Sequence, residues 1–185
     1  MLSKLDPEDA AKVKAATEAY LAHLPNGQAK DQGIKLGLDT AARVLELRTH
    51  DGDDVQDAYR PVTQPGVYTE TMPVYGWKFA TMKPFAMHSP SQFRPAPPIA
   101  LNSEEWARNY NEMKAIGEKV SRKRTRRQTD DARFWLMVDP GSNQPLARQT
   151  AILKNMSTID SAHFMALVTI AQMDALIAVF DAKYH

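Results

Sequence analysis

The sequence predicts an all-α protein, a helical bundle interrupted by one long proline-rich segment. Apolar residues recur at spacings of three and four, and no segment alternates convincingly at period two, as a half-buried strand would. Helix-capping signatures recur along the chain. Eight of the twelve prolines lie between Pro61 and Pro98, which confines the long helices to the two sides of that stretch.

Residues 1–52 are predicted to form helices. Asp6-Pro7-Glu8-Asp9 combines a capping Asp, a proline suited to the first helical position and acids near the positive end of the helix dipole. This helix should run to about Ala22. A second helix is predicted from Gln28 to Arg48, because its apolar residues share one face, and Asp51-Gly52-Asp53-Asp54 should end it.

Residues 53–102 differ in kind from the rest of the chain. Besides the eight prolines, this segment contains seven of the chain's fifteen aromatic residues, whereas disordered linkers are poor in aromatics. We therefore expect an ordered segment that wraps over the helices and is anchored by its aromatic side chains. These are Tyr59, Tyr68, Tyr75, Trp77, Phe79, Phe85 and Phe93.

Residues 103–185 are predicted to return to helix. Asn102-Ser103-Glu104-Glu105 should cap a helix that runs to about Val120, and the capping box Thr125-Arg126-Arg127-Gln128 a helix through Trp135 to Val138. Pro140-Gly141 should break it. A short helix is expected over roughly residues 145–154, and Ser157-Thr158-Ile159-Asp160 should cap the last helix, which continues to Tyr184.

The last helix is apolar on more than one face, a pattern typical of a helix buried at the centre of a bundle. The stretch Ile159–Tyr184 is also long enough to cross a bilayer. It carries His163, Gln172, Asp174 and Asp181, however, which favours a buried helix over a membrane span. We expect His163 to be a hydrogen-bonded core histidine.

The composition narrows the function classes. The chain has 185 residues, a formal net charge of +1 and no cysteine, so it has no disulfide, thiolate metal site or Cys nucleophile. The near-zero charge gives no whole-chain attraction to nucleic acid. Met1 to Leu24 has no signal-peptide pattern, which leaves a cytoplasmic protein or a periplasmic or secreted one whose leader has been removed.

Several short blocks between about residue 36 and residue 185 occur in a recognisable order. They are Val44-Leu45-Glu46-Leu47-Arg48 with Asp51-Gly52; Gln92 through Leu101; Ser121, Arg124-Thr125 and Gln128-Thr129 with Ala132-Arg133-Phe134-Trp135; and Asp174-Ala175 with Asp181-Ala182-Lys183-Tyr184-His185. Together they resemble the N-terminal helical part of the vanadium-dependent haloperoxidases and their relatives in the type-2 phosphatidic-acid phosphatase superfamily. The resemblance implies the helical bundle with a proline-rich wrap that this family has, with residues 1–185 as a single N-terminal portion.

One functional position matches the family motif. The resemblance implies that Lys183 binds an oxygen of vanadate, or of phosphate in the phosphatases. In the family this Lys is followed by an Arg-Pro pair, a Pro-Ser-Gly-His block and a second Arg with a His, none of which follows Lys183 here. We expect no metal ligand and no catalytic residue within the chain. The plainer interpretation of Lys183 is a solvated lysine at a helix C-terminus, where the dipole favours cations.

Two functions remain open for the complete protein, and a third for the chain alone. A haloperoxidase would use vanadate and peroxide to oxidise halide, and a phosphatase would hydrolyse a phosphomonoester. Alternatively the chain is a non-catalytic helical scaffold or one half of a split enzyme. In each case we expect a second polypeptide that carries the missing half, or a homo-oligomer, to cover the last helix.

Two other patterns are less informative. Arg122-Lys123-Arg124-Thr125-Arg126-Arg127 is the densest charge cluster, but it lacks interleaved aromatics and has Asp130 and Asp131 close by. We therefore interpret it as a solvated helix junction and expect no nucleic-acid binding. The five histidines, at positions 23, 50, 88, 163 and 185, show no metal-ligand spacing.

Overall fold

The structure is a computed structural model that describes residues 2–56, 58–60, 62–65, 67–69, 76–136 and 141–185. These residues contain eight helices and no strand, so the prediction of an all-α fold is confirmed. The helices are α1 (Leu2–Leu5), α2 (Ala10–Ala22), α3 (Gln28–Leu47), α4 (Trp77–Thr81), α5 (Glu104–Ile116), α6 (Arg126–Leu136), α7 (Asn143–Leu153) and α8 (Thr158–Tyr184).

The chain divides into two compact units, Met1–Asp51 and Gly52–His185. The division falls where the sequence predicts the change from the first helices to the proline-rich segment. In the first unit, α3 has nearly its predicted bounds, with Arg48 as its C-cap. The helix predicted from Asp6 begins only at Ala10, because the Asp6 carboxylate accepts the Asp9 amide in a turn that precedes the helix.

Three N-terminal caps in the second unit form as the sequence predicts. The Ser103 side chain accepts the Trp106 amide at the start of α5, and the Ser157 side chain accepts the Asp160 amide at the start of α8. At α6, Thr125 and Gln128 accept each other's backbone amides, which is the reciprocal arrangement of a capping box. The predicted end of α6 at Val138 lies outside the described residues.

Two features of the second unit differ from the predictions. Helix α5 ends at Ile116 rather than near Val120, because Arg124 folds back and donates to the carbonyls of Ile116 and Glu118. The proline-rich segment contains the short helix α4, which was not predicted because the segment is rich in proline. Gly76 precedes it in the left-handed region at φ 79°, and Phe180 of α8 occupies the space that a side chain would need.

Helix α8 is the element against which α4 and α7 pack. Helix α7 packs against its N-terminal half, where Gln144 donates to the Thr169 hydroxyl, and α4 packs near its C-terminal end. The buried residues of α8 follow one stripe, and they are Asp174, Ile177, Phe180, Asp181 and Tyr184. One side of the helix is therefore covered by its own chain.

The opposite side of α8 is exposed in the part of the chain that the structure describes. Only 17% of its apolar window is buried, since α4 and α7 cover one side only. Leu167 and Val179 are 52% and 61% exposed. Helix α8 is long and apolar enough to cross a bilayer. The core helix of a soluble bundle meets the same criterion of length and composition.

Several large apolar side chains of the described residues are exposed, among them Trp135 and Leu136 at 68% and 84% exposure.

Candidate functional site

Asp174 ties the proline-rich segment to α8 through three backbone amides. Its carboxylate accepts the Phe85 amide on Oδ1 at 2.7 Å, and the Ala86 and Met87 amides on Oδ2 at 2.7 and 2.8 Å. The residue is 5% exposed. A buried carboxylate needs such donors, because in their absence the loss of hydration would be costly. Asp174 therefore fixes the turn at residues 85–87 on the helix.

Asp181 lies seven residues further along, two helical turns away on the same stripe, and pairs with Arg94. The Arg94 guanidinium donates Nε–H to Oδ2 at 2.7 Å and Nη2–H to Oδ1 at 2.8 Å. This parallel two-bond geometry is specific to arginine and a carboxylate. The hydrogen bond to Asp181 raises the pKa of Arg94 despite the opposing effect of burial. The two carboxylates thus hold two points of the same segment against α8.

An aromatic cluster surrounds the C-terminal end of α8. The Tyr184 ring meets Tyr59, Trp77 and Tyr68 edge to face, at centroid separations of 4.8, 5.4 and 5.7 Å. It also stacks on Phe180, one turn earlier, at 6.0 Å. These separations suit the interaction of ring edges with ring faces. The Tyr59 hydroxyl donates to the Tyr68 carbonyl, which closes the segment over the helix end.

Lys183 lies at the edge of this cluster. Its Nζ is 4.6 Å from the centroid of Tyr68, 5.1 Å from that of Phe180 and 5.2 Å from that of Tyr184. All three distances are within the range of cation–π attraction. Burial acts to lower the pKa of Lys183, but the hydroxyl groups of Tyr68 and Tyr184 outweigh it, so the pKa is raised. The ammonium group is therefore a positioned cation over a wide pH range.

The cluster also holds a buried indole donor. The Nε1–H of Trp77 has no hydrogen-bond acceptor within the part of the chain that the structure describes. The ring itself is positioned by Tyr59 at 5.6 Å and by Tyr184. A buried unpaired N–H is unfavourable by roughly 1–3 kcal/mol. An acceptor from outside the described residues would remove this cost.

Arg94 and His163, two other polar residues considered from the sequence, do not contribute to a ligand site at this cluster. Arg94 is occupied by Asp181 and is not an independent anion donor. His163 is exposed on α8, so the prediction of a core histidine is wrong. The described ranges hold no group of three or more His, Asp or Glu side chains placed to bind a metal ion.

The basic residues at positions 122–127 make three different kinds of contact. Arg124 folds onto the carbonyls after α5. Arg126 and Arg127 each face an aspartate one turn later, at 3.8 Å from Asp130 and 3.9 Å from Asp131. The interpretation as a helix junction holds for these three arginines, and Arg122 and Lys123 remain on the surface.

Sequence reasoning missed the polar contacts that hold the proline-rich segment on α8. It named Asp174 and Asp181 as polar interruptions of an apolar helix and included Arg94 only within the block from Gln92 through Leu101. The signal was their spacing, because carboxylates seven residues apart share one helix face. On an apolar helix such carboxylates require donors from another segment. Nothing local indicates that the donors are the amides of residues 85–87 and Arg94.

The donors present fit an oxyanion ligand in part. Lys183 supplies one positioned cation beside the aromatic cluster, while a tetrahedral oxyanion such as vanadate or phosphate requires several donors. Comparisons of the chain with protein-family models, with curated proteins and with solved structures find no match.

Proposed function

We propose that Lys183 is one cationic donor of a site for a tetrahedral oxyanion, vanadate or phosphate, within a protein that resembles the vanadium-dependent haloperoxidases. The observation that carries this proposal is the placement of the Lys183 ammonium against Tyr68, Phe180 and Tyr184. An anion donor is most effective when its position is fixed before the ligand arrives, because little ordering is then needed on binding. The three rings around the ammonium group give Lys183 that property.

The remaining residues of the site position this lysine. Asp174 and Asp181 hold the turn at residues 85–87 and Arg94 on α8. Tyr59 and Tyr68 lie at the helix end through their ring contacts with Tyr184. Tyr184 fills the centre of the cluster and is 7% exposed. With vanadate bound, the complete site would supply peroxide-dependent halide oxidation; with phosphate chemistry, it would supply phosphomonoester hydrolysis. Lys183 serves either reaction, since its role is to donate N–H to an anionic oxygen.

The other donors are proposed to come from polypeptide that covers the open side of α8. That side carries apolar residues at alternating spacings of four and three, the repeat of a helix seam. This seam consists of Phe164, Val168, Ala171, Ala175, Ala178 and Ala182, flanked by Leu167 and Val179. None of the eight is buried, and the last position, Ala182, immediately precedes Lys183. Polypeptide on the seam therefore reaches the vicinity of the ammonium group.

The test of the site compares two lysines at helix C-termini. Lys183→Met should reduce the broadening of the ⁵¹V NMR signal of orthovanadate by the chain. Lys154→Met, at the C-cap of α7, should leave it unchanged, because the dipole at the helix end is shared but the ring cluster is not. Equal broadening by the two variants would reject Lys183 as the donor.

A second measurement tests the origin of the other donors. The 185-residue chain alone should show no vanadate-dependent bromide oxidation and no hydrolysis of p-nitrophenyl phosphate, since one cation binds an exposed anion only weakly in water. Activity of the chain alone would contradict the proposal that further polypeptide completes the site.

The non-catalytic alternative, a helical scaffold or half of a split enzyme, rests on the seam and not on Lys183. Leu167→Asp with Val179→Asp should abolish the association of the chain in sedimentation analysis, because each carboxylate would have to be buried in an apolar contact. Leu36→Asp, at a position on α3 that is 68% exposed, is the control. A monodisperse wild-type monomer, with no other chain present, would reject the seam as an interface.

A further inference from the structure

A second cluster of cations lines an open cleft beside the C-terminal half of α5. The cleft has a volume of about 430 Å³, which is within the size range of small-molecule sites. Its charged lining consists of Lys114, Arg122, Lys123 and Glu118, and Asn111 contributes an amide. The lining therefore carries three cations against one anion. Lys183 does not belong to this lining, and the two sites are independent.

The cations of the cleft have no ion-pair partner in the described ranges. The ion pairs of the neighbouring run are those of Arg126 with Asp130 and Arg127 with Asp131. None of the ion pairs found among the described residues involves Lys114, Arg122 or Lys123. Cations that converge on one concave surface raise the local potential and attract an anion.

The loop that carries Arg122 and Lys123 is fixed by Ser121. Its hydroxyl donates to the Ala115 carbonyl at 2.8 Å and accepts the Lys123 and Arg124 amides at 3.1 Å each. The backbone on either side of Arg122 is thereby tied to the last turn of α5. The same serine connects the helix that supplies Lys114 with the loop that supplies the other two cations.

Arg124 fixes the loop a second time. Its guanidinium donates to the carbonyls of Ile116 and Glu118 at 2.6 Å each, and its Nε–H donates to the Thr129 hydroxyl at 3.0 Å. The carbonyls at the end of α5 need such donors, because the helix provides none. Arg124 thus links α5 to α6 and leaves Arg122 and Lys123 to the cleft. A loop held at two points loses little entropy when a ligand binds.

We propose that this cleft binds a phosphate-bearing ligand, with the phosphate held between Lys114, Arg122 and Lys123. Phosphate suits the lining because it carries up to two charges and several acceptor oxygens, and Arg122 can donate to two of them at once. A duplex nucleic acid suits it less, because its phosphates follow a long track whereas these cations share one cleft and Glu118 lies among them. The phosphate belongs either to a soluble small molecule or to a lipid headgroup.

The test titrates the chain with sodium pyrophosphate and follows the backbone amides of residues 111–123 by NMR. We expect saturable shifts in this region. The double substitution Arg122→Ala with Lys123→Ala should weaken binding by about tenfold or more, since two charge-assisted contacts are lost. Arg126→Ala with Arg127→Ala is the matched control, because it removes the same charge from the same run but not from the cleft, and it should change the affinity by less than about twofold.

A second experiment distinguishes a lipid headgroup from a soluble small molecule as the source of the phosphate. Sedimentation with phosphatidylcholine vesicles containing phosphatidic acid should show binding that the cleft variant loses if a lipid headgroup is the ligand, whereas pyrophosphate binding without vesicle binding assigns a soluble ligand. Equal losses in the cleft variant and the control would overturn the proposal, as would shifts spread over the whole surface or a preference for duplex DNA over pyrophosphate. A Lys114→Ala variant, altered on the helix side alone, should weaken binding in the same direction.

Discussion

The contact between Asp174 and the turn at residues 85–87 gives the sharpest test of how this chain is held together. In Asp174→Ala, three amides lose a charged acceptor that lies 2.7, 2.7 and 2.8 Å from them. A hydrogen bond to a charged group contributes about 1.5–3 kcal/mol. Part of this is recovered, because water can reach Phe85, which is 44% exposed. We therefore expect a loss of about 3–5 kcal/mol in the free energy of unfolding.

Asp174→Asn should be less damaging, and its expected cost follows from the geometry. The amide oxygen of Asn can accept the Ala86 and Met87 amides in place of Oδ2. Its NH₂ group then faces the Phe85 amide, donor against donor, so one bond is lost. The expected loss is about 1.5–3 kcal/mol, close to half of that for alanine.

Two measurements check this reasoning, denaturant unfolding and hydrogen exchange at the amides of residues 85–87. A local loss of about 3 kcal/mol corresponds to exchange faster by about two orders of magnitude. Asp160→Asn is the control, since Asp160 lies on the same helix but is exposed, and it should change stability by less than about 1 kcal/mol. If Asp174→Ala is no more costly than this control, or if exchange at residues 85–87 is unchanged, Asp174 does not anchor the segment.

Three further outcomes are expected. Gly76→Ala should destabilise the chain by about 2–4 kcal/mol in denaturant unfolding, because a side chain at φ 79° is strained and would overlap the Phe180 ring. Arg94→Lys should destabilise it because the two-bond fork to Asp181 is lost, and a double-mutant cycle with Asp181→Asn should show positive coupling. The ¹³Cε signal of Lys183 should titrate above the ordinary pKa of 10.5, and Tyr68→Phe should lower its midpoint.

A control or a refuting result can be named for each of these three predictions. Gly37→Ala is the control for Gly76, because nothing lies near its Cβ in α3; there alanine should stabilise by about 0.5–1 kcal/mol. Additive effects in the double-mutant cycle would mean that Arg94 and Asp181 do not interact. For Lys183 the raised pKa favours the folded state below pH 10.5, a contribution lost as the pH rises through the folded pKa. A midpoint below 10.5 would contradict it.

The sequence predicts the helices of this chain well where their signals are local. The caps at Ser103, Thr125 and Ser157 form because the capping side chain and the amides it accepts are three residues apart. The end of α5 was misplaced because Arg124, eight residues beyond Ile116, decides it. Helix α4 was missed since the prolines around it dominate the composition of the segment.

The candidate site is less accessible to sequence reasoning, because its geometry depends on distant pairs. Asp174 binds amides 87 to 89 residues away, and Arg94 is 87 residues from Asp181. Lys183 could be named only through a resemblance, and its position against Tyr68 and Tyr184 required the fold. Composition shows which side chains need partners, such as carboxylates on an apolar helix, but not which partners they find.

The two sides of α8 differ in the kind of contact that they can make. The side with Asp174 and Asp181 is satisfied by the chain itself, through directed bonds that fix the proline-rich segment. The seam between Phe164 and Ala182 offers no directed bond and is stabilised only by the removal of apolar surface from water. Because the first side orders Tyr68 and Tyr184 around Lys183, the ammonium group is positioned before any partner arrives. Polypeptide that covers the seam would then bring its donors to a cation that is already in place.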